Sequence, residues 1–180
     1  MDEKSLHPGT SPYEKLCSGA YLGPLALETI QVAAKEGLFS NGCADIIEKT
    51  TKLTLIEVSD FLEKSNIETG QFFPLFKDAT PNQDDYKTLF AIFDSLVNRA
   101  AQLTAVLLAA CLIQCEEGTS AERPVCISCN GTTFFKTYKI IERTKDYLAK
   151  ILEGKNLHYE MLAAEADITI GTAKAAFRSE

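Results

Sequence analysis

Between Tyr86 and Leu112, apolar residues recur at Leu89, Phe93, Leu96, Val97, Ala100, Leu103 and Leu107, the three-and-four spacing of a single helical face. This predicts a long core helix, or two nearly in line. The same spacing predicts a helix from Tyr13 to about Lys35, stopped at Glu36-Gly37, and another from about Thr133 to Leu152, with Gly154 as its C-terminal signal. A shorter helix is expected from Leu55 to Lys64, and Ser65 to Asp85, with Gly70, Pro74 and Pro81, reads as an extended loop. Val125 to Ser128 and His158 to Ala163 read as strands. Each follows a helix and precedes another, the order of an alternating α/β layer. Two strands make an incomplete sheet, so the remaining strands of such a layer are expected elsewhere.

At 180 residues and 46% hydrophobic, the chain is long enough to bury a core as one region, 1–180. With 25 acidic against 18 basic side chains the net charge is -7. That field repels phosphate backbones and anionic lipid, which argues against a nucleic-acid partner. The longest apolar run, AVLLAACLI at 105–113, is far short of the roughly 20 residues of a bilayer span. No cationic, then apolar, leader opens the sequence. The expectation is a soluble, cytoplasmic protein with no membrane contact.

Six cysteines lie mostly inside apolar segments, as reduced cysteines acting as small hydrophobes do. Cys126 and Cys129 have the spacing of half a zinc site, and Cys111 and Cys115 stand one helical turn apart. Strand alternation explains the first pair equally well and core packing the second, so no metal is expected.

The stretch CNGTTFFKTY, 129–138, places a turn at Asn130-Gly131 between the first strand and a helix for which Thr132 is a candidate N-cap. Free amides at such a turn suit a phosphate or a ribose. They also suit a plain connection. A second strand-to-helix turn lies near Gly171-Thr172, with Lys174 just beyond, as a phosphate partner or an ordinary solvated side chain. Two such turns on one sheet edge make a nucleotide crevice when their strands are neighbours.

At this point the sequence resembles the hexokinase family. LHPGTSPYEKLCSGAYLG at 6–23, NRAAQLTAVLLAACL at 98–112, the CNGTTFF turn and the GTAKAA stretch at 171–176 follow in the family's order and spacing. The resemblance implies an α/β fold: the helix-rich C-terminal part of the large lobe of an actin-like ATPase (ribonuclease H-like), with a small incomplete sheet. It implies ATP and a hexose as ligands, and magnesium carried by the nucleotide. Glu14 falls on the carboxylate that accepts hydrogen bonds from sugar hydroxyls, a task suited to a charged acceptor; its structural alternative is a first-turn acid favouring the helix dipole. Gly131 and Thr132 fall on the phosphate-contacting turn, Ser59 near a threonine beside the nucleotide, and Gly171 on the last nucleotide loop. Ser11 replaces a family Gln, His7 an Asn and Asn130 an Asp, while the run from Ala166 to Gly171, with bulky Ile168 and Ile170, replaces three glycines and a serine and keeps Gly171 as its only glycine.

Phosphoryl transfer of this type needs a Gly-rich phosphate hairpin and an aspartate general base. The sequence contains no Gly-Gly pair, and the resemblance places the hairpin and the aspartate in a part of the family to which this chain does not correspond. The expectation is a hexokinase-like C-terminal segment that contributes part of an ATP site and one sugar contact and is inactive alone, with no catalytic residue of its own. The competing expectation is a non-catalytic sugar- or nucleotide-binding regulatory protein on the same lobe, completed by the missing half of the kinase as a second chain.

Overall fold

The computed structural model describes residues 7–64, 74–76, 79–163 and 174. In chain order, α1 (Pro12–Cys17), α2 (Gly19–Lys35), α3 (Asn41–Lys49) and α4 (Leu55–Lys64) precede α5 (Gln83–Gln114). Then come β1 (Val125–Cys129), α6 (Thr132–Lys136), α7 (Ile140–Ile151) and β2 (Tyr159–Ala163).

Helix α5 is the axis. Its capping box is complete: Asn82 accepts from the amides of Asp84 and Asp85, and the Asp85 carboxylate accepts from the Asn82 amide. One face of its N-terminal two thirds, through Leu89, Phe93, Val97 and Ala100, closes the main core with Leu22, Ala26 and Ile30 of α2, Ile47 of α3 and Val58, Phe61 and Leu62 of α4. Its C-terminal third, through Ala105, Ala109 and Leu112, forms a second, smaller core with Leu148 and Leu152, against which Val125, Ile127, Tyr159 and Met161 of the sheet pack. Arg143 of α7 bridges to Asp94 of α5 through both its carboxylate and its carbonyl, and the Tyr147 hydroxyl donates to Asn98 at 3.0 Å. By length and composition α5 is long and apolar enough to cross a bilayer, which the short run at 105–113 does not suggest. Its buried face is committed to these two cores.

The helices expected from Tyr13 to Lys35 and from Thr133 to Leu152 are each two. The first breaks at Ser18, whose backbone is extended and whose amide closes α1 on the Glu14 carbonyl. The break lets Gly19 start α2 hard against α6: a Cβ on Gly19 would lie 2.2 Å from Thr133 Oγ1. The second breaks at Thr137–Lys139, where Thr137 is extended and Lys139 takes a left-handed conformation, φ 48°. Ser59 of α4 holds that break, donating to the Lys136 carbonyl at 3.2 Å and accepting from the Tyr138 amide at 2.9 Å. A contact between residues nearly eighty apart has no trace in local periodicity.

Helix α3 was not expected. Its Asn-Gly start reads as a turn, and only Cys43 and Ile47 are buried. Within the segment expected to be a loop, Pro74–Phe76 form a 3-10 turn and α5 begins at Gln83. Helix α4 and the long helix agree with expectation, α5 running to Gln114.

Strands β1 and β2 are parallel neighbours, in register from Val125 opposite Tyr159 to Cys129 opposite Ala163. The sheet is opened by a backbone exchange at Gly118: the His158 amide donates to the Gly118 carbonyl at 2.7 Å, and the Val125 amide to the His158 carbonyl at 2.9 Å. Gly118 has φ 76°, and a Cβ there would lie 2.6 Å from the His158 carbonyl oxygen, so glycine is required.

Candidate functional site

Where α2, α4 and α6 meet, they enclose a cleft of about 280 Å³ lined by Gly19, Thr54, Leu55, Ile56, Ser59, Thr132, Thr133, Lys136 and Thr137. Each element arrives there for a local reason. Helix α4 starts at the cleft because Thr54 and Glu57 cap it reciprocally: the Thr54 amide and hydroxyl donate to Glu57 Oε2 at 2.8 and 2.6 Å, and the Glu57 amide donates to Thr54 Oγ1 at 3.3 Å. Gly23 lets α2 press on the approach to α4, for a Cβ there would lie 2.5 Å from the Leu53 carbonyl oxygen and 2.8 Å from the Leu55 nitrogen. Helix α6 follows Gly131, whose φ of 102° favours glycine.

The walls differ in chemistry. Leu55 and Ile56 present apolar surface, with Ile56 72% exposed. Opposite them, Thr132, Thr133 and Thr137 supply hydroxyls and Lys136 a cation. Gly19 is the first residue of α2 and Thr132 the first of α6, and neither helix has a side-chain cap. The first amides of a helix without such a cap have no intrahelical acceptor. Among the described residues, the Ser18 hydroxyl beside Gly19 is buried without a hydrogen-bond partner. Buried polar atoms of that kind call for a partner.

Of the residues picked from the sequence, Ser59 and Thr132 line this one cleft; Gly131, the N-cap residue just before Thr132, is not among the lining residues. Ser59 is buried, and its hydroxyl already serves Lys136 and Tyr138. It therefore shapes the cleft wall by holding α6. Glu14 is exposed on α1 and is not among the cleft's lining residues. Gly171 and the second turn lie outside the described residues; nearby, Lys174 is helical and exposed. The carboxyl ends of the two strands are adjacent, Cys129 pairing with Ala163. The helix that Thr132 opens has five residues only, because the chain breaks after Lys136.

Gly19, Thr54, Thr133 and Lys136 were not picked from the sequence. Thr54-x-x-Glu57 carries a legible capping-box pattern, and Gly19 lies inside the quoted SGAYLG; nothing local says that they meet. Burial raises the Cys129 thiol, against the Lys145 charge, which lowers it. Cys111, Cys115 and Cys126 are exposed, and among the described residues no three His, Cys, Asp or Glu side chains group as metal ligands.

Comparison with known proteins places this geometry in a family. The Hexokinase family profile matches residues 1–178. Human "Hexokinase-2" is 26% identical over 162 residues, 88% of this chain and 18% of the human protein, and the rat "Hexokinase-2" is 32% identical over 125 residues, 68% and 14% of the two chains. Among solved structures, hexokinase from Schistosoma mansoni complexed with glucose superposes with a TM-score of 0.70 at 22% identity, covering 93% of this chain and 37% of the other. A second hexokinase crystal structure gives 0.71 at 18% identity, covering 91% and 36%. The fold is thus that of part of a hexokinase, the actin-like ATPase fold; the chain spans little more than a third of these two solved chains and under a fifth of the human relative. By the match over almost its whole length, the chain belongs to the hexokinase family.

Proposed function

We propose that this chain forms the nucleotide-holding side of a hexokinase-type site, binding an adenine nucleotide in the α2–α4–α6 cleft, and that it does not transfer phosphate alone. One observation carries the reading: the starts of α2 and α6, neither with a side-chain cap, meet at one cleft with hydroxyls and Lys136 on one side and Leu55 and Ile56 on the other. Such starts suit phosphate oxygens, and the apolar wall suits a base or ribose face. The volume, about 280 Å³, accepts part of a nucleotide, the rest lying across the open rim. No carboxylate is among the lining residues, so magnesium would arrive with the phosphates, where it neutralises charge in phosphoryl transfer.

Within this reading Thr132 and Thr133 orient phosphate oxygens through hydroxyl and amide, Lys136 offsets their charge, and Ser59 holds α6 in place. Glu14, on α1, accepts hydrogen bonds from a hexose outside the cleft. The sequence has no Gly-Gly pair for a phosphate hairpin, which supports inactivity of the chain alone.

Calorimetric titration of the 180-residue chain with ATP and ADP tests the cleft. Heat that disappears in Thr132→Val is expected; absence of binding by any adenine nucleotide at millimolar concentration would overturn it. A coupled assay is expected to show no hexose phosphorylation, and robust turnover would remove the inactivity claim.

A further inference from the structure

We infer that Asn130 is a site of spontaneous covalent modification, at which the Gly131 nitrogen displaces the side-chain amide as ammonia, and that the altered turn weakens ligand binding in the neighbouring cleft. The chemistry stands on the turn alone; its effect on a nucleotide rests on the reading of the cleft given above.

The sequence holds two Asn-Gly pairs, Asn41-Gly42 and Asn130-Gly131, and the fold treats them oppositely. In such a pair the main-chain nitrogen reaches the asparagine side-chain carbonyl readily, because the following residue has no Cβ in the way. Asn41 and Gly42 are the first two residues of α3. A helical ψ of about -42° turns the next nitrogen away from the side chain, so this pair is held apart. Asn130 and Gly131 stand between β1 and α6, outside both elements, and both are exposed. Gly131 has φ 102°, and a Cβ there would meet nothing within 4 Å, so the main chain has room to turn. Its carbonyl accepts from the Phe135 amide at 3.4 Å, while its own amide donates to no described residue. Neither exposure nor space separates the two pairs, for Asn41 and Gly42 are also exposed and a Cβ on Gly42 would also meet nothing. The conformation of the main chain does.

The step balances without oxidant or reductant. The Gly131 nitrogen gives up its proton and bonds to Asn130 Cγ; the Cγ–Nδ2 bond breaks, and ammonia leaves behind a cyclic succinimide. Water then opens the ring. Opening at Cγ gives aspartate, and opening at the main-chain carbonyl gives isoaspartate, whose main chain runs through Cγ and is longer by a methylene. Either product adds a negative charge to a chain of net charge -7. Thr132, two residues on, opens α6 and lines the cleft. A longer main chain displaces it, and a carboxylate this close opposes a bound phosphate.

The test incubates the full 180-residue chain in mildly alkaline buffer, with and without denaturant, and follows each asparagine-containing peptide by mass spectrometry. Isoaspartate is counted by methyl transfer from labelled S-adenosylmethionine with an isoaspartyl methyltransferase. In the folded chain, conversion at Asn130 is expected to run roughly tenfold or more ahead of that at Asn41, with release of ammonia and a rate that rises with hydroxide. In denaturant the two pairs should converge. Asn130→Gln, whose longer side chain closes a ring less readily, should remove the product without changing the circular dichroism. Equal rates at the two pairs in the folded chain, conversion at Asn41 first, or none at Asn130 would overturn the inference. So would a converted sample that keeps the parent's nucleotide affinity in place of the roughly tenfold loss expected. Nucleotide titration before incubation separates the two readings: conversion in a chain that never bound nucleotide sinks the cleft, and nucleotide binding with Asn130 still intact after incubation sinks only the modification.

Discussion

Asp85, in the first turn of α5, accepts hydrogen bonds from both the backbone amide and the hydroxyl of Ser40, at 2.7 and 2.8 Å, across 45 residues of chain. The same carboxylate accepts from the Asn82 amide at 2.9 Å and from the Cys43 thiol at 3.5 Å. One buried charge thus starts α5 and fixes the start of α3. Burial works to raise its pKa, but these donors together outweigh burial and lower it from the usual 3.8.

Asp85→Ala is expected to cost about 3 kcal/mol, from several charge-assisted bonds and the donors left without acceptors, and Asp85→Asn less. Denaturant midpoints measure this. Because the folded pKa is lowered, the stabilisation is fully present above the unfolded value near 3.8 and is lost as pH falls through the folded value. Acid-unfolding curves should therefore fall away below about pH 4 more steeply in the parent than in Asp85→Asn.

Ser59→Ala strands the Tyr138 amide and the Lys136 carbonyl. The expected loss is about 1–2 kcal/mol, read by urea unfolding. Nucleotide affinity should fall with it, because the α6 wall loses its tie. An unchanged affinity would show that α6 is held by packing alone.

Two glycines in α2 should separate sharply. Gly23→Ala drives a Cβ into the backbone at Leu53–Leu55 and is expected to cost about 2–3 kcal/mol. Gly19→Ala meets the Thr133 hydroxyl, a side-chain atom that can rotate, so it should cost less stability while narrowing the cleft. Thermal melts and ATP titration of both variants check the order.

Glu14→Gln removes a charge from an exposed position outside the cleft. Stability and nucleotide binding are expected to stay as in the parent, surface changes of this kind being worth within about 0.5 kcal/mol. Glucose binding, followed by ligand-observed NMR, should weaken if the carboxylate is the sugar contact.

Much of the secondary structure was legible where burial repeats locally. Helix α4 and the body of α5 follow from three-and-four spacing, and β1 and β2 from short apolar runs between turns. Helix α3 was not legible, because two buried residues and an Asn-Gly start make no pattern; its anchor is Asp85, far along the chain. The breaks at Ser18 and at Thr137–Lys139 were hidden for the same reason, since apolar spacing continues across both. Of the cleft, Ser59 and Thr132 could be picked singly, but not their meeting with Gly19 and Lys136.

The sequence by itself determined most element types, the apolar run at 105–113 and, through ordered motifs, the family. These are properties of residues near one another in the chain. Only the tertiary structure decided that α2, α4 and α6 converge on one cleft, that Ser59 serves the wall and that Glu14 stands outside it. Those outcomes depend on contacts between residues tens of positions apart, whose free energy is set by burial and hydrogen bonding across the fold and leaves no periodic mark in the chain.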